Sequence, residues 1–145
     1  MVEADERNLR RAIELAGEAR QAGDMPFGSL LVGPAGDVLA EDRNTVLTER
    51  DISAHPELKL ARWAARELTA DIARDTTMFT SCEPCPMCRG AIARSGLGRV
   101  VFALSGEQLG DLRPPGAVAP DAAEVRYEGP ALLEEAQVTV RGYYD

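Results

Sequence analysis

Three cysteines fall within seven residues, Cys82-Glu83-Pro84-Cys85-Pro86-Met87-Cys88, and the chain of 145 residues has no others. An odd number of clustered thiols, with no leader-like apolar segment ahead of them, argues against a disulfide framework and for a metal. Cys85 and Cys88 lie three residues apart, where a strand-like run, Thr76 to Thr80, gives way to a helix-like one. Thiols at that spacing on a first helical turn point the same way, and a helix N-terminus favours their thiolate forms. His55 is the sole histidine. It opens a second helix-like segment through Leu58, Leu60, Ala61, Trp63, Ala64 and Leu68. If the two helices pack side by side, His55, Cys85 and Cys88 reach one zinc and leave its fourth tetrahedral position open for water, whose pKa would fall toward ~7.

Glu57, two residues beyond His55, would then stand beside the metal without ligating it. The pattern His-x-Glu followed by Pro-Cys-x-x-Cys suits a metal-activated water next to a proton-carrying carboxylate. Two other readings compete. Cys82 could join the three ligands in a closed Cys3His structural cage. It lies at a strand end before a proline, however, and such a cage has no need of Glu57. A redox role for Cys85 and Cys88 leaves His55 and Glu57 without a purpose.

Composition narrows the setting. With 45% hydrophobic and 28% charged residues, the chain can bury a core and remain soluble. No apolar run approaches the roughly 20 residues of a membrane helix. The charged start, Met1 to Arg20, has no apolar secretory core, so the expected compartment is cytoplasmic. The formal net charge of −8 weighs against nucleic acid, whose binders carry basic patches, and favours a small neutral substrate.

Apolar spacing predicts a helix from Glu3 to Ala22, using Leu9, Ile13, Leu15, Ala16 and Ala19. A hairpin turns at Gly33-Pro34-Ala35-Gly36, and Thr48 to Ala54 reads as a loop. Further strands are expected at Thr76–Thr80, Arg99–Leu104 and near Val125–Tyr127, with a last helix after Pro130. Helices alternating with strands after a hairpin imply an α/β domain over residues 1–145, with helices on both faces of a mixed sheet.

The chain resembles the cytidine deaminase-like superfamily. It is similar above all to the branch holding bacterial guanine deaminases, fungal cytosine deaminases and tRNA adenosine deaminases. The matching residues are Pro26-Phe27-Gly28, Asn44, His55-x-Glu57, the run Thr80 to Ile92, and Gly98 to Phe102. The resemblance implies a three-layer α/β/α fold on a five-stranded mixed sheet, one zinc ion per chain, and a homodimer. It implies hydrolysis of the exocyclic amine of guanine, cytosine, isocytosine or an aminotriazine by zinc hydroxide, with Glu57 as proton shuttle.

Substrate contacts carried over in the same way are Asn44, Phe27, Ala54, Ser81, Glu83 and Pro84. Tyr143 and Asp145 would close the pocket from the C-terminal segment. Pro56 replaces the alanine usual in the family, and Ser105 to Asp111 fits no branch well. The last residues from Glu124 are acidic, the reverse of the basic end expected of a tRNA deaminase. A tRNA adenosine deaminase and a non-catalytic zinc-stabilised binding module remain the alternatives.

Overall fold

The computed structural model describes residues 2–117 and 123–145. Four strands form one sheet: β1 (Gly28–Val32), β2 (Val38–Arg43), β3 (Thr77–Cys82) and β4 (Arg99–Leu104). Their order is β2-β1-β3-β4. β1 pairs antiparallel with β2 and with β3, whereas β3 and β4 run parallel. The hairpin and the mixed sheet are as the sequence implies. The fifth strand is a correction. Residues 125–127 form no strand and are exposed, with Tyr127 at 89% accessibility. A short alternating run makes a strand only when a neighbour supplies the ladder, and no strand of the sheet pairs with it.

Helix α1 (Glu3–Gln21) buries Asp5, Leu9, Ala12, Ala16 and Ala19, at spacings of four and three residues. Ile13 lies about 100° around the helix from Ala12 and faces solvent. Leu9 and Ala12 pack with Leu30, Phe79 and Val101. Leu31 and Met78 point the other way, because side chains alternate along a strand. They pack with Leu60 and Ala64 of α3 (Pro56–Glu67), joined by the half-buried Trp63 in the packing role its spacing implies. All five residues of β1 are buried.

α1 can lie close to β1 because Gly28 has no side chain. A Cβ there would stand 2.5 Å from Leu15 Cβ and 2.6 Å from the Ala12 carbonyl and the Ala16 amide. The Asp5 carboxylate, bonded to both guanidinium nitrogens of Arg99 at 3.2 and 2.7 Å, ties the start of α1 to β4. That guanidinium holds the Asp5 carboxyl below its ordinary range.

Two further short helices are α2 (Val46–Glu49), which runs into the stretch from Thr48 read as loop, and α4 (Ala70–Arg74). α5 (Pro86–Ala93) follows β3, and α6 (Gly106–Leu112) follows β4. The final helix, α7 (Leu133–Val140), and all of residues 123–145 are exposed. No helix among the described residues is long and apolar enough to cross a membrane.

Candidate active site

The site is built from the N-termini of α3 and α5. His55 is the N-cap of α3 and Cys85 the N-cap of α5, and each is followed by proline at the first helical position. Proline suits that position, where an amide has no partner to lose. It also excludes the residue before it from helical backbone. Accordingly His55 has ψ 139° and Cys85 ψ 168°, both extended. Neither side chain caps its own helix, so both are available to a ligand. Pro56, the departure from the family pattern, therefore repeats at His55 the device that Pro86 supplies at Cys85.

The Nδ1 atom of His55 lies 3.7 Å from Cys85 Sγ and 3.4 Å from Cys88 Sγ. All three donor atoms fall within 4.8 Å of one another. A tetrahedral zinc with bonds of ~2.3 Å to sulfur and ~2.05 Å to nitrogen requires N···S separations of roughly 3.6 Å. Donor types and spacing both fit that ion. Cys82 stays outside the group, buried at the end of β3 with its thiol pushed up by burial. The three-donor set is therefore the one assembled, and the closed cage is not.

Charge is distributed unevenly over the set. Hydrogen bonds from Cys88 and then His55 bring the Cys85 thiol down to about 4. Cys88 moves the opposite way, since its neighbour already carries the charge and it is more deeply buried. The bond to Cys85 raises His55 above its ordinary value.

Glu57, in the first turn of α3, is 6% exposed. Burial raises its carboxyl. Its Oε1 lies 3.4 Å from the Ser29 hydroxyl. A buried carboxyl displaced toward neutrality beside a metal-donor set is the disposition expected of a group that exchanges protons.

Asn44 ends β2's extension and is fully buried. Its Oδ1 accepts from the Val46 amide, while Nδ2 has no partner, alone among the buried side-chain atoms of the described residues. Its backbone amide donates to the Phe27 carbonyl, and the next amide, of Thr45, donates to the Ala54 carbonyl beside His55. Asn44, Phe27 and Ala54 are thereby stitched to the edge of the site. Phe27 is half-buried and Ala54 buried.

Ser81 and Pro84 are buried around the cysteine loop, Ser81 Oγ accepting from the Gly28 amide at 3.1 Å. Glu83 is engaged differently. Its Oε1 accepts from the Gly106 amide at 2.8 Å and its Oε2 pairs with Arg89. It joins the cysteine loop to the start of α6. Tyr143 and Asp145 are exposed, and among the described residues no side-chain hydrogen bond links 123–145 to the site.

Sequence reasoning missed two groups. Asp24 accepts from the amide and hydroxyl of Thr48 at 2.9 and 2.6 Å, tethering the segment between Asn44 and Ala54. Ser29 contacts Glu57 and Thr80. Its signal was one polar residue within the apolar run Phe27–Val32.

Three metal donors at two helix N-termini over a mixed sheet define an α/β metal-site protein with a coordination position to spare. The comparisons identify it further. Residues 2–104 match the family described as the cytidine and deoxycytidylate deaminase zinc-binding region, and the chain belongs to that family. It is 35% identical over 108 residues to the tRNA-specific adenosine deaminase of Haemophilus influenzae, covering 74% of this chain and 62% of that protein. It is 46% identical over 85 residues to the guanine deaminase of Bacillus subtilis, covering 58% of this chain and 54% of that one. The chain thus spans under two thirds of either relative. The solved structure of guanine deaminase from Bacillus subtilis superposes with a TM-score of 0.73 at 29% identity, over 97% of this chain and 93% of that one. This is a domain of the zinc-binding deaminase family, with His55, Cys85 and Cys88 as its potential zinc site.

Proposed function

We propose that this protein hydrolytically deaminates a small aminated nucleobase, with guanine first among guanine, cytosine, isocytosine and aminotriazines. One observation carries the reading: a buried carboxylate, Glu57, adjoins a three-donor set that suits zinc. His55, Cys85 and Cys88 would hold a zinc ion, which would supply the Lewis acidity that activates water for attack on the amine-bearing ring carbon. Glu57 would carry one proton from that water to the ring nitrogen, and then the second, from the hydroxyl added to the ring carbon, to the departing amine as the carbonyl forms. Its upward-shifted carboxyl suits both directions of transfer, because an acid–base group works best near the working pH.

Asn44 holds a ring acceptor with the buried amide group that has no partner in the protein. Phe27 and Ala54 flank the ring, and Ser81 and Pro84 present backbone groups around the amine. Glu83 supports the wall between Arg89 and Gly106. The C-terminal segment exposes Tyr127, Leu132, Leu133, Tyr143 and Tyr144. So much apolar surface is usually covered. In a homodimer this segment closes a pocket, bringing Tyr143 and Asp145 to the substrate.

Guanine is placed first because the match to the Bacillus subtilis guanine deaminase has the higher identity of the two relatives and the solved guanine deaminase superposes over nearly the whole chain. The net charge of −8 favours a free base over tRNA. Ammonia release from guanine, cytosine, isocytosine, an aminotriazine and tRNA is the test. Release from a free base supports the reading, and release from tRNA alone overturns it. Glu57→Ala should keep zinc and lose turnover.

A further inference from the structure

The α3-facing side of the sheet is apolar at Leu31 and Met78. One step along the strands toward the site it becomes polar. Ser29, two residues before Leu31, stands opposite Thr80, two residues after Met78. The same change occurs on the helix. Leu60, Ala61 and Ala64 cover the sheet, and Glu57 takes the preceding turn. Ser29, Thr80 and Glu57 thus form one polar layer at the site end of a hydrophobic face. Ser29 is wholly buried and Thr80 is 1% exposed.

Within this layer Ser29 Oγ lies 2.8 Å from Thr80 Oγ1 and 3.4 Å from Glu57 Oε1. A hydroxyl has one proton to give. The Thr80 hydroxyl also lies 3.5 Å from the Gly28 carbonyl, to which it donates while Ser29 donates to Thr80. When the Ser29 proton turns to Glu57, the Thr80 hydroxyl turns from that carbonyl to Ser29 Oγ, and the chain runs Thr80 to Ser29 to Glu57. Burying two hydroxyls in the middle of a sheet is unfavourable unless they bond, and alanine with valine would fill the space without that cost. The pair is therefore not explained by packing.

We propose that Ser29 and Thr80 are positioning residues for Glu57. They hold Oε1 against the sheet, which leaves the other carboxylate oxygen directed to proton transfer. This rests on the deaminase reading, in which Glu57 moves the proton. A carboxylate displaced by about an ångström transfers protons far less well, so the expected effect falls on turnover rather than binding.

The test compares Ser29→Ala, Thr80→Val and Thr80→Ser, with guanine as the probe and zinc content measured on each variant. Thr80→Val keeps shape and loses the hydroxyl, and Thr80→Ser does the reverse. Ser29→Ala and Thr80→Val should lower kcat roughly tenfold or more. KM should stay within about twofold, zinc should be retained, and Thr80→Ser should turn over like wild type. Unchanged kcat in Ser29→Ala and Thr80→Val, or equal loss in Thr80→Ser and Thr80→Val, overturns the proposal.

A second measurement needs no substrate. The shift in urea midpoint caused by Ser29→Ala should shrink by half or more in a Glu57→Ala background, because the bonded partner is gone. Equal shifts in both backgrounds overturn the proposal. An active Glu57→Ala would instead overturn the deaminase reading, and the urea comparison stands whichever way that falls.

Discussion

Replacing Glu57 by glutamine separates what this residue does for the fold from what it does for chemistry. Glu57 is buried at 6% exposure, and burial is the largest influence raising its carboxyl above the ordinary 4.5. In the metal-free protein the folded form therefore retains a proton that the unfolded chain has released. Stability falls as pH rises through the window between those two values, by about 1.4 kcal/mol for each unit of displacement. Glutamine has no such group, and its amide oxygen can still accept from Ser29. Metal-free Glu57→Gln should thus unfold in urea at the same or higher midpoint than wild type at pH 7. The advantage should fade as pH falls through that window and be gone below 4.5. Turnover of the zinc-loaded variant should fall by about 10²- to 10⁴-fold, equivalent to about 3–5 kcal/mol of barrier. A glutamine variant less stable than wild type at pH 7, or a stability difference that ignores pH, would refute the reasoning.

Gly28→Ala should cost about 1–3 kcal/mol in urea unfolding, since its Cβ would meet backbone atoms of α1 that no rotamer change can move. In EDTA-treated protein the thiolate absorbance of Cys85 should disappear as pH falls through about 4, and Cys85→Ser should lack that step. The Thr48 hydroxyl and amide hold the Asp24 carboxyl below 3.8. Its contribution to stability is therefore complete above 3.8 and lost as pH falls through the lower, folded value. Asp24→Asn should lower the melting temperature at pH 7 and flatten the decline between pH 4 and pH 2.

The metal donors were legible because local chain geometry positions them. Cys85 and Cys88 share one helical turn, and proline after His55 and after Cys85 sets an N-cap backbone that needs no distant contact. Glu57 came with them, two residues from His55. The hairpin and the strands β3 and β4 were equally plain from apolar runs with turn residues between. The fifth strand failed because Val125–Tyr127 has strand-like residues and no ladder partner in the sheet.

Residue order alone was enough to place the donor types, their helix-start positions and the carboxylate beside them, since each depends on neighbours within a few residues. It could not reveal that Ser29 and Thr80 meet across β1 and β3, 51 residues apart, beneath Glu57. Nor could it show that Asn44 is left with an unpaired buried amide, or that Glu83 is bound to Gly106. Those facts depend on strand register and helix packing. Register follows from the whole hydrophobic face seeking burial at once, so no single stretch of chain encodes it.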